Sequence, residues 1–201
     1  SESLQSPDHN RVIGRLRALR ARGVRLRYVE GNRDYFIGNA FEPDPFEEVA
    51  PDSLWVTLGG ERIRFEHGDQ INNRDRNYQR WRRLSRRPWL QGSFRALPSR
   101  FAGRVARWLE RCVCTTHVVH GVGFPEDLCR ARARDVFAEG ARRLFLGHFH
   151  RLWEWEDSSR GEVCRAVVVP AWQQVRAGWI YEPQAGVDRL SGARRGGSNR
   201  P

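Results

Sequence analysis

Three observations predict an α/β fold. Apolar runs of strand length alternate with longer amphipathic runs of helical period. Three strand-like runs end at once in short polar loops, Gly31-Asn32-Arg33-Asp34, His67-Gly68-Asp69 and Gly147-His148-Phe149-His150. The 201 residues, 39% hydrophobic and 29% charged, suit one domain with a packed core rather than a disordered chain.

Each element follows from a local signal. An amphipathic run over residues 9–22, behind Ser6-Pro7-Asp8 and before Gly23, predicts a helix. Residues 24–29 alternate apolar and basic side chains, predicting a strand that enters the turn at 30–34. Residues 52–66 read as a hairpin turned at Gly59-Gly60 and ending in His67-Gly68-Asp69. Residues 72–111 are rich in Arg and Trp, with helical period on both sides of Pro88 and Pro98. They predict two or three short helices inserted over the domain. Residues 125–143 predict a longer helix, with Glu126 and Asp127 suiting its N-terminus. A short buried strand at 144–146 delivers His148 and His150, and strands follow at 152–155, 162–169 and 175–181. From Gln184 the chain is rich in Gly, Arg and Ser, so a disordered tail is expected. The expected division is a core at 1–71, a helical cap at 72–112, the rest of the core at 113–183 and a tail at 184–201. No internal repeat is visible.

Composition excludes several classes. No apolar run approaches the roughly 20 residues of a membrane-spanning helix. Residues 1–10 are polar and carry no signal-peptide core, so a cytoplasmic location is expected. Cys112, Cys114, Cys129 and Cys164 have neither zinc-finger nor CxxC spacing and read as reduced thiols. Net charge is +11, and all 35 basic residues are Arg. Guanidinium groups bind phosphate oxygens in a bidentate fork. Such a surface suits a phosphorylated ligand, a nucleic acid or an anionic membrane, and composition does not choose among them.

The strand-end loops carry the chemistry. Ligands in layered α/β proteins gather at the carboxyl ends of strands. Imidazoles and an Asn carbonyl suit a divalent metal such as Mn²⁺, Fe²⁺ or Zn²⁺. If 148–150 is extended, His148 and His150 point the same way and both face the site. Two such metals, roughly 3.5–4 Å apart, would activate water and clamp a phosphoryl oxygen. Each loop alone is a weak signal. The three in order, each at a strand end, form a specific one.

That order, GN-x-D, then HGD, then GHxH, resembles the calcineurin-like metallophosphoesterases, and among them the UDP-2,3-diacylglucosamine hydrolase family. Further matches are Asp75 and Tyr78-Gln79 after His67-Gly68-Asp69, the cap-like run from Tyr78 through Trp89, Ala96-Leu97-Pro98, Arg151 after the GHxH motif, and Pro170-Ala171-Trp172. The resemblance implies a four-layer αββα sandwich of mixed sheets with a helical cap insertion. It implies two divalent metal ions, Mn²⁺ in the usual case, with Asn32, His67 and His148 on the second and His150 on the first. These four are the candidate catalytic residues. Arg33, Asp75, Tyr78 and Arg80 are candidates for substrate contact. Trp81, Trp89, Leu90, Phe94 and Leu97 are candidates for an acyl-chain cleft. The implied reaction splits the pyrophosphate of UDP-diacylglucosamine into UMP and acylated glucosamine 1-phosphate, a step of lipid A biosynthesis. The implied location is cytoplasmic and peripheral on the inner membrane.

The sequence departs from the family pattern before Asn32, where no D-x-H or GD strand end occurs. An N-terminally truncated fold with an incomplete first metal site, and doubtful activity, is therefore expected. Thr115 to His120 has no counterpart in the family pattern, and His117 and His120 are expected outside the site. Three alternatives stand beside the hydrolase reading. One is a metallophosphoesterase with another phosphodiester or nucleotide substrate. Another is an inactive truncated paralogue. The least favoured is an Arg-rich nucleic-acid binder, which explains the charge but not the three ordered motifs.

Overall fold

The structure, a computed structural model, describes residues 7–32, 38–71, 76–85, 87, 124–159, 161–185 and 187–192. The chain divides into two compact units, Ser1–Pro51 with Asn72–Pro125 and Asp52–Ile71 with Glu126–Pro201. This division differs from the expected cuts at 71 and 112. Residues 52–71 join the C-terminal part because the strand that pairs with their hairpin lies there.

The first unit opens with helix α1 (Pro7–Ala21). Gly23, at φ +86°, ends it. Gly23 N–H donates to Arg20 O at 2.9 Å and Val24 N–H to Leu19 O at 3.2 Å, the paired bonds that close a helix through a left-handed glycine. Val24 is therefore used in closing α1, and strand β1 (Arg27–Val29) starts later than the expected residue 24. Helix α2 (Gly38–Phe41) and strand β2 (Glu48–Ala50) were not expected from sequence. β2 pairs with β1 in parallel. The Glu30 N–H extends the ladder to Ala50 O at 2.8 Å, carrying the chain into Gly31 and Asn32 at the end of β1. Helix α3 (Arg76–Ser85) and Arg87 are the described part of the expected cap. Arg82 is buried in this unit and Arg80 is exposed.

The second unit is layered. Strands β3 (Ser53–Leu58) and β4 (Glu61–Glu66) form the expected hairpin. Its turn residues Gly59 and Gly60 sit at φ +58° and +84°, the signs that a two-residue primed turn requires. Helix α4 (Glu126–Ala138) leads to β5 (Arg143–Leu146), then β6 (Trp153–Asp157), β7 (Cys164–Val168), the short helix α5 (Trp172–Val175) and β8 (Ala177–Glu182). The five-stranded sheet runs in the order β3-β4-β5-β7-β6, with β4, β5 and β7 parallel. α4 is shorter than the expected 125–143. Gly140, at φ +95°, closes it, with Ala141 N–H bonded to Val136 O at 3.2 Å. Apolar periodicity continues past this stop because Ala141 is itself buried, which is why the pattern alone overran it.

A second correction concerns the C-terminus. Residues 187–192 are not tail: they form β9 (Val187–Gly192), paired antiparallel with β8. The β8–β9 hairpin covers one face of the sheet. Trp179 and Tyr181 pack on the core of Ile63, Phe145 and Val167. Asp188 accepts from Trp179 Nε1 at 2.5 Å and Arg143 at 2.6 Å, so a polar residue in a polar-looking segment is what anchors the hairpin. α4 covers the other face with Cys129, Ala133, Val136 and Phe137. This helix–sheet–hairpin stacking is an α/β arrangement consistent with the calcineurin-like sandwich. Full burial of a side chain such as Ile63 contributes about 1.5–3 kcal/mol.

The described cysteines, Cys129 and Cys164, are both free and buried. Burial pushes the Cys129 thiol up from 9.0 to about 12, with Asp127 and Glu126 adding to the shift. The sign follows directly. The unfolded thiol ionises at lower pH than the folded one, so its contribution to stability is complete below about 9 and is lost as pH rises toward 12. Urea unfolding is therefore expected to show stability falling more steeply between pH 9 and 11 in the native sequence than in Cys129→Ala. Equal slopes would refute the assignment.

Candidate functional site

Two neighbouring parallel strands build the site. β4 and β5 run side by side with Glu66 opposite Leu146, so both end at one edge of the sheet. The Gly147 N–H donates to Glu66 O at 3.2 Å and extends the ladder by one residue. The residues that follow are His67 on one strand and His148 on the other. Their rings meet edge to face, with centroids 5.1 Å apart. The structure brings the second and third loops together.

Glycines make this approach possible. A Cβ on Gly68, at φ +93°, would lie 3.3 Å from Phe149 Cε2 and 3.7 Å from His148 Cβ. A Cβ on Gly147 would lie 3.3 Å from His67 O. The two loops pack backbone against side chain, and each glycine removes the atom that would separate them.

The expectation for residues 148–150 needs correction. They are bent rather than extended. His148 has φ +64° and His150 φ +52°. The Phe149 N–H reaches back to Gly147 O at 2.7 Å, which closes a three-residue turn on His148. A positive φ at the centre marks the rarer, strained form of this turn. Alternation of side chains therefore does not apply. His148 lies beside His67, while His150 is exposed. Phe149 does not point away as an alternate residue would: its ring stands against His148, with centroids 5.3 Å apart.

His67 is mostly buried, and its Nδ1 lies 3.3 Å from Oδ1 of Asp69. The pair is within ionic reach but is not aligned as a hydrogen bond, so Nδ1 has no formed partner. Asp69 is itself buried. Sequence reading named the HGD triplet but gave Asp69 no role. Its neighbour on the other side, Glu66, also escaped notice.

The other site residues stand as follows. Asn32 belongs to the first unit, at the end of β1. Arg80 is exposed on α3 in that same unit. Arg33 and Asp75 lie outside the described residues, as do the side chain of Tyr78 and that of Trp81. Trp89, Leu90, Phe94, Leu97, His117 and His120 lie outside them too.

Comparisons with known proteins decide the family. No family model matches the chain. It is, however, 32% identical over 178 residues to a UDP-2,3-diacylglucosamine hydrolase of Pseudomonas paraeruginosa, covering 87% of this chain and 72% of that protein. The chain belongs to the UDP-2,3-diacylglucosamine hydrolase family. The hydrolase of Edwardsiella ictaluri is 32% identical over 149 residues, with 72% of this chain and 56% of that protein covered. That of Ralstonia nicotianae is 36% identical over 159 residues, covering 75% and 59%. The chain thus spans between about half and three quarters of the length of these hydrolases.

The residues present fit part of a metal site. Two imidazoles in edge contact and a buried ring nitrogen without a formed hydrogen bond suit one face of a divalent ion. Among the described residues no group of three or more His, Cys, Asp or Glu side chains is gathered closely enough to hold a metal.

Gly68→Ala and Gly60→Ala separate contact from conformation. Both require φ above +80°, but nothing lies within 4 Å of a Cβ on Gly60. Left-handed backbone alone costs a non-glycine residue about 1–3 kcal/mol. Urea unfolding should place Gly60→Ala inside that range and Gly68→Ala clearly beyond it. Equal losses would show that the Phe149 contact does not constrain the loop.

Proposed function

We propose that the chain acts as a metal-dependent hydrolase of a lipid-linked nucleotide sugar pyrophosphate, with UDP-2,3-diacylglucosamine as substrate and UMP as one product. The carrying observation is the His67–His148 pair at the ends of adjacent parallel strands, in a chain of this family. His67 and His148 would hold one divalent ion through neutral imidazoles, with His150 and Asn32 the further donors that the resemblance implies. Mn²⁺ is the proposed metal, and a second ion completes the family arrangement. A bound ion supplies a Lewis-acidic centre for a phosphoryl oxygen and lowers the pKa of water.

The chain's own contributions are orientation and charge. The turn at His148 sets its ring against His67, so the backbone itself orients the pair. Arg33 and Arg80 would neutralise pyrophosphate oxygens through forked hydrogen bonds. Asp75 and Tyr78 would contact the substrate. The cap would take the acyl chains.

The deciding assay is UMP release from UDP-2,3-diacylglucosamine in Mn²⁺. His67→Ala and His148→Ala are expected to lose more than about 100-fold, beyond the 10–100-fold typical of removing a supporting partner. Chelation should abolish turnover in the native sequence. Undiminished release by both variants would eliminate the reading.

The same reading places the protein at the cytoplasmic face of the inner membrane. Its support is the net charge of +11 and the lipid character of the proposed substrate. Co-sedimentation with vesicles containing anionic lipid is expected at low salt and should weaken as salt rises. No pelleting at low salt would remove this part of the proposal.

A further inference from the structure

Glu66 occupies a position that nothing in the motif pattern marks. It is the last residue of β4, directly before His67, and its side chain is only 10% exposed. Its backbone carbonyl accepts the Gly147 N–H, the bond that joins the two strand ends. Its side chain turns to the helix-covered face of the sheet. There Arg132 of α4 grips it with both arms of the fork, Nε to Oε2 at 3.1 Å and Nη2 to Oε1 at 2.6 Å. Arg64 donates to the same Oε1 and reaches Glu139 at 2.8 Å. One residue thus touches three elements: the helix layer, the end of β5 and the peptide that carries His67.

We infer that Arg132 is a positioning residue, holding the carboxyl end of β4 through Glu66 so that the His67 ring keeps its place against His148. The inference deepens the proposed function, because it rests on His67 and His148 serving as metal donors. Three features support it. The grip is bidentate, and a planar fork on a carboxylate fixes direction as well as distance, which a single-point contact does not. The pair is largely withdrawn from water, so solvent screens it less than an exposed pair. Arg64 holds the same carboxylate from within β4, so Glu66 is fixed from two sides. The alternative is that the pair merely ties α4 to the sheet. Then any equal weakening of α4 would have the same consequences.

The test sets Arg132→Met against Ala133→Gly. Ala133 is fully buried on the same helix and has no side-chain group that can pair with Glu66, so its glycine variant loosens α4 without cutting the grip. Arg132→Lys supplies a conservative variant in case the Met variant folds poorly. Three quantities are read on the full chain: unfolding midpoint, Mn²⁺ affinity, and the His67 ring signals by NMR without metal. Arg132→Met is expected to weaken Mn²⁺ binding about 10-fold, in the range seen when a supporting partner is lost. It should also shift the His67 ring signals. Arg132→Lys should recover part of both effects. Ala133→Gly should lower the midpoint while leaving affinity and ring signals unchanged. If Arg132→Met and Ala133→Gly move all three quantities in the same proportion, the positioning role is overturned. If the native sequence fails to bind Mn²⁺ while the ring signals still respond to Arg132 alone, the metal reading fails and the positioning role stands.

Discussion

The parallel pairing of β4 with β5 is the constraint on which the rest of the second unit depends. Its register sets Glu66 opposite Leu146, so the next residues on both strands emerge side by side. A slip of one residue would turn Ile63 and Phe65 away from the β8–β9 hairpin and send Arg62 and Arg64 into it. The apolar core therefore enforces the register, and the register enforces the meeting of His67 with His148. A parallel pair also needs a crossover, and α4 supplies the final leg of it, descending across the sheet to β5. The helix that makes the topology possible is the same one that reaches Glu66.

An Arg-only basic set shapes the layers between which it lies. Arg143 and Arg165 both reach Asp188 beneath the hairpin, while Arg64 and Arg132 converge on Glu66 beneath α4. Arg62 and Arg64 also lie over the Trp55 ring. Many arginines that composition offers to an anionic ligand are thus engaged within the protein. Partly buried pairs of this kind are weak evidence for added stability but restrict how layers can be stacked. Net charge alone therefore overstates the cationic surface open to a phosphorylated or nucleic-acid partner.

The backbone at the site departs from ordinary strand geometry where the chemistry is proposed. His148 and His150 both adopt left-handed φ without being glycine. Such conformations persist only where surrounding contacts over-determine them. Here those contacts are the Phe149 ring, the Gly68 backbone and the ladder bond at Gly147. The strain is held by the strand ends.

What the sequence determined by itself was the set of elements with strong local causes. The Gly59-Gly60 hairpin, the glycine stop after α1 and the short apolar strand before His148 each follow from neighbours within a few residues. The order of the three polar loops also lies in the sequence, and with it the family. Tertiary structure decided the rest. It turned the polar segment at 187–192 into a strand, because β8 offers a ladder and Asp188 meets two arginines from distant strands. It bent 148–150, because packing against Gly68 outweighs the preference for extension. It joined Glu66 to Arg132 across 66 residues of chain. Local pattern encodes backbone preference, whereas partners so far apart are chosen only when the layers close.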